Sequence, residues 1–179
     1  MTDDSLSTFV RETHARFGTD PVATAAAVRS QLERLARAPV DEPWLAALHR
    51  EAPASRELVR DAVHGFVLLA HTEPAGLYRA PHDHGRNWVV YALQRGAMEV
   101  RTWALGEAGD PAGLVLRDVS VMRPGEARIY REGEIHDTRA LAEGALLLRF
   151  TSRDLKLPEE AARITRYAAR DVVGAAGAA

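Results

Sequence analysis

The chain has 179 residues, 46% of them hydrophobic, with a formal net charge of −2 and a pI near 6.4. This predicts one globular domain with a substantial core and argues against nucleic acid as a partner. The absence of cysteine excludes disulfides and thiolate metal ligands, so nitrogen and oxygen atoms must hold any metal. No apolar run reaches membrane-spanning length and no signal-like segment opens the chain, so we expect a cytoplasmic protein without a membrane partner.

The first 55 residues have the pattern of helices packed on a core. Asp3 or Asp4 is placed to cap a first helix with a mostly apolar stripe. Asp20 followed by Pro21 begins a second helix, because an Asp cap with Pro at the first helical position is a common start signal. A short third helix opens at Pro43. We expect residues 1–55 to form an N-terminal helical segment of the same domain.

From residue 56 the pattern changes to short apolar or alternating runs separated by Gly, Pro and acidic turns. Strands are predicted near residues 58–60, 65–70, 76–80, 87–93, 98–104, 115–122, 127–130, 137–141 and 145–151. Many short antiparallel strands at this spacing indicate a sandwich or jelly-roll barrel over residues 56–157. Pro158 and the acidic residues after it predict a last helix to about residue 170, and a Gly/Ala tail completes the segment 158–179.

Two histidines, His82 and His84, stand one residue apart within the stretch from Pro81 to Gly96. Side chains alternate along an extended strand, so both imidazoles project to one side while Asp83 points away and is free to bond within the turn. A third ligand must come from elsewhere, and the best candidate is His136. Three neutral imidazoles suit Fe, Zn, Cu or Ni and leave coordination positions free for a substrate.

The spacing around these histidines resembles the two sequence motifs of the cupin family. The first motif is matched at Gly76, His82, His84 and Gly96. Val89 stands at the position where this motif usually has a Glu. The second is matched at Gly125, Gly133 and His136, with Arg131 in place of the usual Pro and Ala140 in place of the final Asn. The resemblance implies a mainly β fold, the cupin double-stranded β-helix or jelly-roll barrel, with N-terminal helices and one C-terminal helix.

Among cupins, a His-x-His pair and a distant His without the Glu resemble the thiol dioxygenases, such as the cysteine dioxygenases. That resemblance implies a metal-dependent enzyme in which Fe(II), held by His82, His84 and His136, oxidises a thiol to a sulfinic acid with dioxygen. The expected substrate is a small anionic molecule, in the first place a thiol carboxylate. The metal identity stays open, with Zn, Mn or Ni as alternatives to Fe(II).

Three further residues are candidates for the catalytic pocket. Arg56 stands where the resemblance places the carboxylate-binding arginine of cysteine dioxygenases, in a similar Arg-x-Leu-Val string. The Ser, His and Tyr that those enzymes carry on a late strand are replaced here by Leu147, Arg149 and Thr151. Strand parity predicts that Arg149 faces into the barrel, where a cation needs an anion such as a substrate carboxylate or an internal acid. Tyr91 has the parity to face the cavity, either as a phenol near the metal or as core packing.

Two other functions stay open at this point. One is a different cupin metalloenzyme, either a dioxygenase of a non-thiol substrate or a zinc-dependent hydrolase or isomerase. The other is a cupin that binds a small ligand without turnover, whose signature would be the loss of one of the three histidines. Pairing of exposed strand edges would also give a homodimer. The residues alone identify neither the substrate nor which arginine anchors it.

Overall fold

The computed structural model describes residues 4–18, 20–106 and 113–167. Within these ranges three helices precede nine strands, and a single helical turn follows them. The elements are α1 (Ser5–Arg16), α2 (Pro21–Leu35), α3 (Pro43–Glu51), β1 (Arg56–Arg60), β2 (Val67–Glu73), β3 (Tyr78–His82), β4 (Val89–Arg95), β5 (Met98–Leu105), β6 (Leu114–Met122), β7 (Ala127–Tyr130), β8 (Ile135–Ala140), β9 (Ala145–Thr151) and α4 (Pro158–Ala161).

The N-terminal helices begin where their capping residues predict. The Asp4 carboxylate accepts a hydrogen bond of 2.7 Å from the Ser7 amide, and Asp20 caps α2 by accepting from two amides directly after Pro21. The apolar faces of the helices, including Leu32, pack on one face of the larger sheet. No helix in the described ranges is long and apolar enough to cross a membrane.

The strands form two antiparallel sheets. The larger has the order β1-β2-β9-β4-β7 and the smaller the order β3-β8-β5-β6. Side chains from both sheets, among them Leu93 and Leu147 of the larger and Val100 and Met122 of the smaller, pack together as one buried cluster. The two sheets are therefore the two walls of one barrel, and the fold is mainly β, as the sequence predicts.

The central strands β4 and β9 are buried on both faces, which explains their nearly continuous apolar sequences. Val90 and Phe150 pack against the helices, whereas Tyr91 and Leu147 point into the barrel. Tyr91 lies opposite Arg149 across the β4–β9 pair, so the two side chains share the interior face.

The end of the described chain differs from the prediction of a helix to residue 170. Helix α4 ends at Ala161, and residues 163–167, here called the C-terminal strap, run back along the exposed edge of β3. The Asp83 amide donates to the Thr165 carbonyl at 3.1 Å, and the Tyr167 amide donates to the Pro81 carbonyl at 2.9 Å. The strap satisfies its backbone groups with this edge instead of continuing the helix. Positions beyond 167 lie outside the described residues.

Candidate metal centre

The predicted ligands come from two paired strands and the turn that follows one of them. His82 ends β3 and lies directly opposite His136 of β8 in the antiparallel register. His84 is not on the strand, because β3 ends before it. It is held by a turn in which the Asp83 carboxylate accepts from the Gly85 amide at 2.9 Å. The structure thereby brings one nitrogen of each histidine to within 4.8 Å of the others.

The donor set fits a transition-metal ion. His84 and His136 are 3% and 0% exposed, and each has a buried ring nitrogen without a hydrogen-bond partner. Burial, and then the neighbouring His82, lowers the pKa of His84 to about 3 and that of His136 well below its usual value. Burial likewise lowers the pKa of His82. All three imidazoles are therefore neutral at neutral pH, with lone pairs available to Fe, Zn, Cu or Ni.

Aromatic rings and backbone carbonyls orient the three imidazoles. The Tyr130 ring stacks on His136 with centroids 3.8 Å apart and an interplanar angle of 19°. The Tyr91 hydroxyl lies 3.4 Å from Nε2 of His84. Nδ1 of His82 is 2.9 Å from the Ala80 carbonyl oxygen, which leaves Nε2 free for a metal. Such contacts fix the ring direction and tautomer of a metal ligand.

A cavity of about 310 Å³ opens beside His82 and His84. Both sheets, the residues after β9 and the strap contribute to its wall, which includes Glu73, Arg79, Tyr91, Leu147, Arg149, Leu155, Ile164 and Arg166. Val89, where a cupin usually carries a Glu, is fully buried in the barrel cluster and has no donor atom. The candidate centre therefore has three protein ligands and an adjoining space for a small molecule.

Comparison with known proteins finds similarity at the level of structure only. No protein-family model matches the sequence, and no curated protein is significantly similar to it. Similar solved structures include KdgF from Halomonas sp. (18% identity, 54% of this chain and 74% of that chain, TM-score 0.44) and an oxalate decarboxylase variant from B. subtilis (19%, 63% and 28%, 0.46). Another is the DMSP lyase DddQ from Ruegeria pomeroyi (17%, 87% and 94%, 0.48). At such identities and scores the likeness carries no argument about the reaction.

The strand order and the position of the histidines decide the architecture. Two antiparallel sheets close around one interior, and two neighbouring strands of the smaller sheet, with the turn after β3, hold the three histidines. The fold is that of a cupin. The helices α1 to α3 cover the outer face of the larger sheet of this cupin barrel.

The cupin barrel gathers two of the three predicted pocket residues. Tyr91 and Arg149 both line the cavity. Arg56 does not: it lies opposite Ala70 in the β1–β2 pair, so it shares the face that packs against the helices, and its guanidinium bonds to Glu51. Among the described residues, Arg149 is therefore the predicted anchor that reaches the candidate centre.

The strap adds two cavity residues that the sequence reasoning missed, Ile164 and Arg166. The Asp83 carboxylate accepts from the Thr165 amide at 3.1 Å, which couples the turn carrying His84 to the strap. Ile164 and Arg166 are two residues apart, so in an extended segment their side chains point to the same side. This spacing is the one local signal of an extended strap, and the helix signals at Pro158 led to the prediction of a helix instead.

A second histidine cluster lies on the surface of the cupin barrel. His14 of α1 approaches Asp61 and His64 of the turn between β1 and β2, with ligand atoms within 4.8 Å of one another. The Asp61 carboxylate already accepts from the His64 and Val63 amides and contacts Nδ1 of His14 at 2.7 Å. Hydrogen bonds within the protein thus already occupy the Asp61 carboxylate, which favours a structural role for this cluster.

Proposed function

We propose that the cupin barrel holds one divalent metal ion, in the first place Fe(II), on His82, His84 and His136, and oxygenates a small thiol carboxylate to a sulfinate. The observation that carries the proposal is a cluster of three neutral imidazoles, two of which, His82 and His84, line one cavity together with Arg149. The resemblance of the histidine spacing to thiol dioxygenases supports the choice of reaction.

Charge favours an anionic substrate. Three neutral imidazoles leave the divalent charge of a bound metal uncompensated, so a thiolate or carboxylate is attracted to the site. A bound ferrous ion supplies the redox chemistry with dioxygen that no protein side chain here provides. The chain's own contribution is to bind the substrate, orient it and keep water out.

Arg149 and Tyr91 have separate roles in this proposal. The planar guanidinium of Arg149 can hold a carboxylate by two parallel hydrogen bonds, which fixes both the position and the direction of the substrate. Burial raises the pKa of Tyr91, so its phenol stays protonated at neutral pH and donates a hydrogen bond beside His84. Leu147, Leu155 and Ile164 give the cavity an apolar part of its wall, where the hydrocarbon portion of a substrate can pack.

One observation favours a second candidate. In the alignment that the resemblance implies, Leu147, Arg149 and Thr151 stand where cysteine dioxygenases carry a Ser, a His and a Tyr, so groups that those enzymes use near the metal are missing. A metalloenzyme acting on a small carboxylate without a thiol, with zinc activating water, uses the same histidines and the same arginine.

The test combines metal analysis with oxygen uptake. We expect stoichiometric iron in the isolated or Fe(II)-reconstituted protein, and its loss in His82→Ala and His136→Ala but not in the control His49→Ala, whose histidine lies on α3. Oxygen uptake is expected with 3-mercaptopropionate and not with cysteamine, which lacks the carboxylate. Metal binding without uptake on any thiol acid overturns the dioxygenase reaction in favour of the second candidate. No binding of Fe(II) or Zn(II) after anaerobic addition overturns both.

A further inference from the structure

The cavity beside the candidate centre carries more positive charge than one carboxylate requires. Its wall includes three arginines, Arg79, Arg149 and Arg166, and one acid, Glu73. Two guanidinium nitrogens of Arg79 lie 2.8 and 2.7 Å from one oxygen of Glu73, whose side chain is 1% exposed. This pair is locally neutral, so the other two arginines determine the charge that a ligand meets.

Arg149 has no acidic partner among the described residues. Its Nε atom is buried without a hydrogen-bond acceptor, although the neighbouring strand places Tyr91 directly across from it. A buried donor left without an acceptor is costly, and the cost is larger for a charged group. The cavity is thus prepared for an acceptor that comes with the ligand.

Arg166 lies on the C-terminal strap and also contributes to the wall of this cavity. The strap is fixed on both sides of Arg166: the Thr165 carbonyl accepts from Asp83, and the Tyr167 amide donates to Pro81. The backbone of Arg166 forms an isolated antiparallel β-bridge with that of His82. No ion pair joins Arg166 to an acid within the described part of the chain, so its guanidinium is a second cation at the cavity, placed independently of Arg149.

Both cations lie near the metal ligands. The charges of Arg166 and Arg149 each add to the effect of burial in lowering the pKa of His82 and of His84. The cavity has a volume of about 310 Å³, which is at the small end of ligand pockets, so a small molecule in it lies close to both arginines and to His82 and His84.

We infer that the substrate is a small dianion, of the dicarboxylate class, with one carboxylate bound by Arg149 and the other by Arg166. The reacting group of the substrate is then a third functional group, separate from the two carboxylates, and it faces the three histidines. The inference rests on the proposed function in locating the substrate at this cavity, but it concerns recognition and needs no turnover. Arg166 is the residue that distinguishes a dicarboxylate from a monocarboxylate.

Calorimetric titration of the Zn(II)-loaded protein with succinate and with butyrate tests this, because butyrate has the same chain length and one carboxylate fewer. We expect succinate to bind about tenfold more tightly or better, as for a hydrogen-bonded charge pair. Arg166→Gln should abolish this preference and leave butyrate unchanged, whereas Arg149→Gln should weaken both ligands. Arg166→Lys, which keeps the charge without the planar fork, should retain part of the preference.

Arg163→Gln is the matched control. Arg163 lies on the same strap and pairs with Glu160 at 3.4 Å, and it is not part of the cavity wall. Its replacement should leave the succinate preference intact. Equal affinity of the wild type for succinate and butyrate, no binding of either, or equal behaviour of Arg166→Gln and Arg163→Gln overturns the inference. A succinate preference that depends on Arg166 in a protein that oxidises no thiol overturns the proposed reaction and supports the inference.

Discussion

Replacing Asp137 tests the internal support of the candidate metal centre. Its carboxylate is 0% exposed and follows His136 on β8. It accepts from Nε of Arg101 at 3.0 Å, from Nε1 of Trp103 at 2.9 Å and from the Tyr78 hydroxyl at 3.2 Å. We predict that Asp137→Ala destabilises the fold, because three donors lose their shared acceptor and Arg101 loses its closest counter-ion.

The size of the effect follows from burial. Removing one partner of a buried ion pair costs about 3–5 kcal/mol. The Arg101 side chain keeps 24% exposure, so water can solvate part of its charge, and the expected loss is near the lower limit, about 3 kcal/mol. For a domain of this size that lowers the Tm by about 6–12 °C. Asp137→Asn keeps an acceptor oxygen and should lose less, about 1–2 kcal/mol.

Urea unfolding of the metal-free protein, followed by circular dichroism, gives the free energies. Glu99→Gln is the control, since Glu99 is the other carboxylate near Arg101, at 4.0 Å and 30% exposed. Its replacement should change stability by no more than about 0.5 kcal/mol. If Asp137→Ala loses no more than this control, the three hydrogen bonds do not stabilise β8 and the reasoning is refuted.

Two further predictions concern the cavity wall and the strap. Burial, and then the charge of Arg149, lowers the pKa of His71 to about 4. The unfolded chain, with a histidine pKa of about 6.5, therefore binds more protons between these values, and stability falls as the pH drops through that window. His71→Gln should reduce the loss of unfolding free energy between pH 7 and pH 5 by about 2 kcal/mol, and an unchanged loss in urea titrations at the two pH values would contradict this. At Gly85, where φ is +61°, an added Cβ would lie 2.9 Å from the carbonyl oxygen of Arg163. Gly85→Ala should thus displace the strap and speed its cleavage by trypsin, whereas Gly133→Ala, with φ of +69° and nothing within 4 Å, should not. Equal cleavage of the two variants would show that the strap does not depend on this contact.

Strand alternation made part of the site predictable from the sequence. Parity along β4 and β9 places Tyr91 and Arg149 in the barrel, and the structure agrees, since these strands are regular where the two residues pair. The spacing of the histidine motifs likewise identified His82, His84 and His136 as neighbours. The reasoning for His84 was only partly right, because a turn fixed by Asp83 orients it after the strand has ended.

The remaining features depend on contacts between distant parts of the chain. Arg56 was assigned by the resemblance of its local sequence, Arg-x-Leu-Val, to that of cysteine dioxygenases. Its register against Ala70, which turns it toward the helices, is set by the pairing of β1 with β2. Similarly, Pro158 and the acidic residues after it predict a longer helix. After Ala161, however, the chain forms backbone hydrogen bonds along β3 and the turn that follows it. Local propensity cannot anticipate a partner that lies some 80 residues away.

The two-faced strands β4 and β9 bear on how such a barrel can change its ligand during evolution. Tyr91 and Arg149 alternate with Val90 and Phe150 on the same backbone, but the first pair meets the cavity and the second meets the helices. Side chains without shared partners tend to contribute independently to stability. Ligand specificity and folding therefore depend on alternating positions of the same strands. Mutations at the cavity-facing positions can change the ligand while selection preserves the positions that face the helices.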